Sequence, residues 1–411
     1  MPKLYVAIND LLVYGSAITR PTGIQRVATG LSAALAAQHG ATHVVVSDSG
    51  IREVTPPTTG RRSIAARIAE PALWLLARAP RRVQEAVRTV ARAVLGRLAR
   101  QRGGDMIEPR EGDWIAVVGA PWIAPGMVRA IEIAKETHKV NVALLVHDLL
   151  PATSPQWFAD AQGESAKRDI ETLIRCADAV FAVSGEVVGE LQQRYQKPTT
   201  LLMPADPELQ SADQLQESDL RGEKERIILC VGTLHPRKNL VALVKIWERW
   251  CVQVLASGER IDTVPRLVLA GRRHPQDGEL FRVLRESQHA STRIQLVHDA
   301  DDRTLALLYR QSRFVVMPSL AEGWGLPIRE ALLAGRPSIA TDAVPAATGS
   351  PYVSVVPAGD ELALEAAIKS WWTGSEPERF SEAITENFQP RTWSEVADEF
   401  YQTLSASEVR R

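Results

Sequence analysis

Glu322 and Glu330 are two glutamates with seven residues between them, on either side of a glycine-rich turn in PSLAEGWGLPIREALLAGRPSIATD (318–342). A buried strand pattern precedes Glu322, and a helix pattern from Pro327 to Gly335 places Glu330 in its first turn, facing the same crevice. The amides of the glycine-rich turn and the helix dipole favour a diphosphate between the two acids. Carboxylates bind hydroxyls rather than phosphates, so sugar and ribose hydroxyls are their expected partners. The alternative is a solvated turn acid and an acid near a helix N-terminus.

Two cations, Arg237 and Lys238, stand about 80 residues earlier in VGTLHPRKNLVALVKIW (231–247). A strand is predicted to end at Gly232, and Asn239 is a plausible N-cap for the helix that follows. Cations near a helix N-terminus indicate an anion site, because arginine binds phosphate oxygens in pairs and lysine adds a point charge. The alternative is a solvated basic loop.

Alternating apolar strands and helical patterns must position these residues. Near-continuous apolar runs are typical of parallel strands that are covered on both faces. The first series of strands is predicted at 4–8, 43–47, 114–119, 141–148 and 179–184. The second series is predicted at 226–232, 266–271, 294–298, 314–319 and 337–341. Helices fall between them, so the sequence predicts an α/β protein with two doubly wound, Rossmann-like domains. Ligands of such sheets bind beyond the carboxyl ends of the strands, where the acids and cations lie.

The predicted boundaries give an N-terminal domain over 1–204, a C-terminal domain over 205–390 and a C-terminal helix over 391–411 that could pack on either domain or across both. The 411 residues are 45% hydrophobic and 24% charged, which is typical of globular chains. The three cysteines share no metal-ligand spacing, and we expect them to be reduced. The first residues do not resemble a secretory signal and no apolar run is long enough to span a membrane, so a cytoplasmic location is predicted.

The C-terminal motifs resemble those of the retaining glycosyltransferases of family 4, which have the GT-B fold. The resemblance rests on E-G-x-G-L-P-x-x-E-A-x-x-x-G-x-P at 322–337 and on G-x-x-x-P-R-K-N at 232–239. It covers 226–345 well and the N-terminal half loosely. It implies two Rossmann-like domains facing a central cleft, with a nucleotide-sugar donor on the C-terminal domain and the acceptor on the N-terminal one.

Carried over by motif, the resemblance implies a role for each matching residue. Arg237 and Lys238 would neutralise the donor diphosphate, Glu322 would meet the transferred sugar, and Glu330 would bind the ribose. Backbone amides of the turn would contact sugar and phosphate at Gly323, Trp324, Gly325 and Leu326. Further donor contacts are expected at the strand-end glycines Gly232 and Gly271.

Two N-terminal stretches are similar to the family's as well. LLVHDLLP (144–151) places His147 after a strand, where the family often has a histidine directed at the donor sugar. A histidine there would hydrogen-bond a sugar hydroxyl and stabilise developing charge; the alternative is a structural strand-end histidine. RPTGIQRVATGL (20–31) resembles the family's first loop, so Gly23 is expected near the phosphates, with Gln25 and Arg26 as further contacts.

The resemblance implies a retaining hexosyltransferase that needs neither metal nor cofactor. No D-x-D motif stands at a strand end, and DADD (299–302) is interpreted as a helix N-cap cluster. The leaving phosphate would deprotonate the acceptor, so no separate base is expected. Mannose from GDP-mannose is favoured, with a lipid-linked or polysaccharide acceptor in bacterial surface polysaccharide synthesis. A non-catalytic GT-B-like binding protein and a GT-B nucleotide-sugar epimerase remain the alternatives.

An arginine-rich insertion is predicted over 55–105. Residues 61–102 contain eleven arginines and two glutamates, a net charge of +9, while the whole chain carries −1. Apolar residues recur there at helical spacing, and a basic amphipathic helix is typical of binding to an anionic membrane surface. We expect peripheral binding at the inner face of the plasma membrane. A solvated basic face is the alternative, and nucleic acid is not expected because Trp74 is the single aromatic residue among the arginines and no nucleic-acid-binding fold is recognised.

Overall fold

The computed structural model describes most of the chain, in two compact units. The described residues are 2–12, 22–56, 103–124, 126–158, 161–206, 226–274, 276–298 and 300–408. The first unit comprises Met1–Ala205 together with Arg391–Arg411, and the second comprises Asp206–Pro390. Within these described ranges, no helix has the length and apolar character needed to cross a bilayer.

The first unit is built on an eight-stranded sheet in the order β4-β3-β2-β1-β5-β6-β7-β8. Its strands are β1 Leu4–Ala7, β2 Thr42–Ser47, β3 Gly50–Val54, β4 Gly103–Ile107, β5 Trp114–Val117, β6 Asn141–Val146, β7 Ala179–Ala182 and β8 Thr200–Leu201. All pairings are parallel except β2 with β3 and β3 with β4. The chain leaves β1 on one side for β2 and returns on the other as β5, so the topological switch point lies between β1 and β5.

Five helices whose bounds lie within the described residues cover the sheet. They are α1 Gly23–His39, α2 Met127–His138, α3 Leu150–Thr153, α4 Ala161–Cys176 and α5 Gly185–Tyr195. Local sequence sets their ends: Ser184 accepts the Val187 amide at the start of α5, and Gly40 ends α1 in the left-handed conformation. Apolar residues facing the sheet, such as Leu31, Ile131 and Leu173, are completely buried.

The second unit has a six-stranded parallel sheet in the order β11-β10-β9-β12-β13-β14. Its strands are β9 Ile227–Val231, β10 Arg266–Ala270, β11 Ile294–Val297, β12 Ser312–Met317, β13 Ser338–Thr341 and β14 Val353–Val356. Its helices are α6 Leu240–Ala256, α7 Gly278–Glu286, α8 Asp302–Gln311, α9 Leu326–Leu333, α10 Glu361–Thr373 and α11 Glu376–Asn387. Trp247 of α6 anchors the core, fully buried, and its indole N–H donates to the Pro265 carbonyl at 2.8 Å.

The last helix, α12 Trp393–Glu408, packs on α1 of the first unit. Phe400 stacks on Phe181 with ring centroids 4.4 Å apart, and Asp398 lies 2.8 Å from the ring of His39. Gly30 lets the two helices meet, since a Cβ at this position would lie 2.2 Å from the Trp393 ring. Of the packing positions that the sequence left open for this helix, the structure has the one on the first unit.

The arginine-rich stretch 61–102 lies outside the described residues. The strands that flank it are β3 and β4, which pair antiparallel at the edge of the sheet. The predicted insertion 55–105 therefore ends too late, because β4 already begins at Gly103. The sequence pattern missed both strands because they are short and lack a continuous apolar run; β4 lies at the edge of the sheet and β3 lies next to it.

Arg329 of α9 binds both chain segments that leave the second unit. Its guanidinium forms a bidentate ion pair with Asp206, with Nη2 2.7 Å from Oδ2, and lies 4.9 Å from the ring centre of Phe388. The carboxylate of Asp206 is only 2% exposed. A buried carboxylate needs such a partner, because its own desolvation is costly. Arg329 thus ties both boundaries of the unit to one helix.

We expect Arg329→Met to lower the free energy of unfolding by about 3 kcal/mol, because the variant takes the bidentate partner from a buried carboxylate. Urea denaturation of the wild type and the variant measures the difference. The double variant Arg329→Met/Asp206→Asn removes the charge that needs the partner and should recover part of the loss. Equal stability of wild type and Arg329→Met would contradict this account.

Candidate active site

The site residues of the second unit meet at the carboxyl edge of its sheet. The chain leaves β9 for β10 on one side and returns as β12 on the other, so the switch point lies between β9 and β12. Lys238 follows β9, and Glu322 follows β12. Crevices at such switch points are where ligands of doubly wound sheets bind.

An ion-paired triad of Glu322, Arg237 and Lys238 occupies this switch point. Glu322 Oε2 lies 2.6 Å from Arg237 Nη1, and Oε1 pairs with Lys238 Nζ. The Glu322 side chain is 7% exposed, Lys238 10% and Arg237 22%. The structure therefore brings together three predicted residues, and it excludes both the solvated basic loop and the solvated turn acid.

The triad sets the ionisation of its members. Burial by itself would raise the pKa of Glu322, but the charges and hydrogen bonds of Arg237 and Lys238 outweigh it and hold the pKa at about 2. Burial lowers the pKa of Lys238, and the Glu322 carboxylate offsets part of that effect. The carboxylate is thus fully ionised at neutral pH, held by two donors.

Backbone contacts join the two loops that carry the triad. The Leu320 amide donates to the Arg237 carbonyl at 2.7 Å, and Arg237 Nη1 also donates to the Ala321 carbonyl at 2.9 Å. Pro236–Lys238 is a single 3₁₀ turn. Asn239 stands at the N-cap position as predicted, but its backbone is left-handed (φ 55°), and among the described residues its side chain caps no helix amide. Its role is to redirect the chain from the turn into α6.

Glu330 lies in a later turn of its helix than the sequence predicted. The helix begins at Leu326, so Pro327 is its second residue and Glu330 lies in the second turn. Glu330 is 5% exposed and accepts a hydrogen bond of 2.6 Å from the hydroxyl of fully buried Tyr309. Sequence analysis missed Tyr309, which lies in α8, because nothing in the local pattern marks it as the partner of an acid 21 residues away.

The turn between the acids is shaped by its glycines. Gly325 has φ 118°, and a Cβ there would lie 2.5 Å from Val344, so only glycine fits. Gly323 is buried, and Leu326 opens α9. The Trp324 ring packs against the apolar cluster around Ile328 and Val344, so packing explains its contacts. Its buried indole N–H has no hydrogen-bond partner among the residues that the structure describes.

Gly232 and Gly271 allow two strand ends to approach each other. A Cβ at Gly271 would lie 1.8 Å from the Gly232 carbonyl oxygen, and Gly232 itself has φ 149°. A Cβ at Gly232 would lie 3.3 Å from Lys238 Cε, so this glycine borders the triad. Close packing accounts for Gly271, whereas the donor contact predicted for it remains a prediction.

His147 lies in the first unit, beyond the end of β6. It is 7% exposed, and its Nε2 donates to the Val118 carbonyl at 2.8 Å. Burial lowers the pKa of His147 to about 4, against the effect of that hydrogen bond. The neighbouring Ala120 amide donates at 2.7 Å to Asp10, a buried carboxylate that sequence analysis did not single out. His147 and Asp10 thus hold the loop after β5 from both sides.

Gly23 is the exposed first residue of α1. Gln25 is buried, and its side-chain oxygen accepts a hydrogen bond from the Thr22 hydroxyl, which gives it a local structural role. The predicted cap at DADD is confirmed for Asp301, which accepts the Thr304 amide at 2.8 Å. In the described parts of the chain, no cluster of three or more metal-ligating side chains is present.

Comparison with known proteins agrees with this geometry. Residues 225–373 match the family described as glycosyl transferases group 1. These residues contain the complete triad, Glu330 and the glycine turn. The matched region is therefore similar to a group 1 glycosyltransferase domain. Its motifs and its sheet are those that the sequence resemblance implied.

Several curated relatives of the chain are bacterial mannosyltransferases. It is 25% identical over 291 residues to the serotype-specific mannosyltransferase WbdA of Escherichia coli, covering 62% of this chain and 32% of that protein. It is 23% identical over 235 residues to the O-antigen chain mannosyltransferase RfbU of Salmonella typhimurium, covering 56% of this chain and 60% of that protein. The chain thus spans about a third of WbdA.

Solved structures with the same fold extend over the whole chain. The sucrose-phosphate synthase of Thermosynechococcus elongatus superimposes with a TM-score of 0.65 at 17% identity and covers 100% of both chains. Anabaena HepE, solved with UDP and glucose, gives 0.61 at 14% identity and covers 99% of this chain and 100% of its own. The fold is GT-B, as the sequence resemblance implied.

The pH dependence of stability should show the strong ion pairing of Glu322. The pKa of Glu322 is about 2 in the folded protein, and we take the ordinary glutamate value of 4.5 for the unfolded chain. The stabilising contribution of Glu322 is therefore complete above pH 4.5 and is lost as the pH falls toward 2. Between about pH 6 and pH 3.5 the wild type should lose about 1 kcal/mol more unfolding free energy than Glu322→Gln. Urea titrations at each pH measure this, and parallel curves for the two proteins would refute it.

Proposed function

We propose that this protein is a retaining glycosyltransferase that moves a hexose, with mannose from GDP-mannose favoured, onto a lipid-linked or polysaccharide acceptor. The observation that carries the proposal is the Glu322 carboxylate held between Arg237 and Lys238 at the switch point of a domain similar to those of group 1 glycosyltransferases. A buried acid with two cations provides groups for both halves of a nucleotide sugar.

The ion pairs of the triad suggest how donor binding proceeds. A diphosphate carries more charge than a carboxylate and offers arginine and lysine several strong acceptors. It would therefore compete with Glu322 for the two cations. As Glu322 gives up these hydrogen bonds, its oxygens become available to sugar hydroxyls, which agrees with the role that the family resemblance implies for this acid.

The transfer breaks the bond between the anomeric carbon and the diphosphate oxygen, and the electron pair leaves with the diphosphate. The acceptor hydroxyl forms the new bond on the same face, and its proton goes to the departing phosphate. Arg237 and Lys238 stabilise the charge that develops on the leaving group. In this proposal they take the place of a metal ion, so activity should persist in a chelator.

We propose that His147 forms a hydrogen bond with a hydroxyl group of the sugar. Since Nε2 donates to Val118 and the ring stays neutral, Nδ1 can accept a hydrogen bond from a sugar hydroxyl. A neutral ring contributes this hydrogen bond without a positive charge. Gly23, at the start of α1, remains the proposed backbone contact to phosphate.

The relatives named as mannosyltransferases support mannose as the donor sugar, and those named for O-antigen chains, such as RfbU, support a polysaccharide acceptor. Anabaena HepE was solved with UDP-glucose, so the shared fold alone does not select the base. The choice between GDP-mannose and UDP-sugars therefore needs a direct comparison of donors.

A panel of GDP-, UDP- and dTDP-sugars should raise the melting temperature with one nucleotide family only, with GDP-mannose expected and no metal added. Lys238→Ala should abolish this shift and lower the transfer kcat/KM by about 100-fold or more, because it removes a buried cation from the diphosphate site. Thermal denaturation and a radiolabelled transfer assay measure the two effects.

Arg249→Ala is the matched control for this test. Like Lys238→Ala, it removes a cation that forms ion pairs in the second unit. The partners of Arg249 are Glu361 and Glu365, which lie away from the switch point. Its donor-induced shift and its activity should equal those of the wild type. Full activity in both Lys238→Ala and Glu322→Ala would refute the site, and the absence of any donor-induced shift would refute the donor class.

Association with an anionic membrane surface through 61–102 is proposed from the sequence alone. Its net charge of +9 suits anionic headgroups, at about 1 kcal/mol for each cation near the surface. Such binding would place the enzyme beside a lipid-linked acceptor.

Deletion of 61–102 should weaken binding to vesicles with anionic lipid at least tenfold, while donor binding in the second unit is retained. Sedimentation with vesicles at low and high salt measures this, because electrostatic binding weakens as salt rises. Vesicles of neutral lipid are the control. Equal binding of the full chain and the deletion variant would refute the proposal.

A further inference from the structure

His235 lies immediately before the turn that carries the two cations, and it binds the backbone of both. Its ring Nδ1 accepts the Arg237 amide at 3.1 Å, and its carbonyl accepts the Lys238 amide at 2.9 Å. His235 thus accepts hydrogen bonds from two successive backbone amides, those of Arg237 and Lys238, whose side chains pair with Glu322. The hydrogen bonds close the 3₁₀ turn Pro236–Lys238 and fix where both side chains begin.

The Nδ1 contact requires a neutral ring with its proton on Nε2, because a protonated Nδ1 does not accept a hydrogen bond. Burial, followed by the nearby His274, Arg237 and Lys238, lowers the pKa of His235 to about 3. A charged imidazole would also place a third positive charge beside the cation pair. Nδ1 of His235 therefore stays unprotonated and accepts the hydrogen bond of the Arg237 amide.

A second histidine supports the ring. His274 meets His235 edge-on, with ring centroids 4.4 Å apart, and its own Nδ1 accepts the Gln276 amide at 3.2 Å. Both histidines precede a proline, in HPR (235–237) and HPQ (274–276), and both bind the amide two residues ahead. The repeated H-P pair at two strand ends is the sequence signal for this arrangement, which sequence analysis did not use.

We infer that His235 is a positioning residue for the diphosphate site and sets the placement of Arg237 and Lys238 through their backbone amides. The inference rests on the proposed function. The affinity for a nucleoside diphosphate then depends on the Nδ1 acceptor atom of His235, and not on the charge or size of the ring. His235 itself needs no contact with the ligand.

Two substitutions separate the acceptor from the ring. His235→Phe keeps a ring of similar size and removes Nδ1. His235→Asn removes most of the ring and keeps an acceptor, because an asparagine oxygen binds the amide two residues ahead in an Asx turn. Trp247→Phe is the matched structural control, since it removes one buried hydrogen bond from the same unit, in the core formed by α6.

Calorimetric titration with GDP and with UDP is the main measurement. For the nucleotide that the wild type binds, His235→Phe should raise Kd about tenfold or more, whereas His235→Asn should stay within about threefold of the wild type. Trp247→Phe should lose stability to urea without a change in Kd. Unchanged affinity in His235→Phe would overturn the inference, as would equally weak binding by His235→Asn.

A second readout does not depend on nucleotide binding. Nitrogen NMR of labelled histidine should show His235 with its proton on Nε2 down to about pH 5, and a ring protonated at pH 6 would overturn the inference. If the wild type binds neither GDP nor UDP, the titrations are repeated with dTDP; if that nucleotide is not bound either, the proposed function fails, while the tautomer still decides whether His235 accepts the Arg237 amide.

Discussion

The arrangement of the second unit depends on one constraint: the Glu322 carboxylate is buried and must stay paired. An unpaired buried carboxylate would cost several kcal/mol of stability, and Arg237 and Lys238 remove that penalty. Because the acid follows β12 and the cations follow β9, the pairing joins the two loops at the switch point. The same pairing keeps two cations ready for a diphosphate, so the interaction that stabilises the loops also prepares the site.

The backbone around the triad is arranged to keep these charges in place. His235 binds the amides of both cations, and the Leu320 amide binds the Arg237 carbonyl. Gly232 and Gly271 allow the ends of β9 and β10 to approach more closely than any side chain permits. The backbone positions of the charged residues are therefore held in advance, and only their side chains must rearrange when a ligand replaces the ion pairs.

The accuracy of the sequence predictions follows from burial. Nearly every central strand was placed within two residues, because a strand covered on both faces needs a continuous apolar run. Four short strands at or next to a sheet edge, β3, β4, β8 and β14, were missed because they lack a long apolar run; Val355 in β14 is 46% exposed. Helix ends with local signals, such as Asp301 and Gly335, were placed correctly, whereas Asn239 redirects the chain through its backbone instead of capping the helix.

The sequence by itself determined the two α/β domains and the identity of the charged site residues, because periodicity and short motifs are local properties of the chain. Only the tertiary structure decided which groups are paired. It placed Arg237 and Lys238 on Glu322, gave Glu330 a buried hydroxyl partner in Tyr309, and held His147 neutral through burial and the Val118 carbonyl. Such pairings join residues far apart in the chain, and their protonation depends on burial, so neither follows from local sequence.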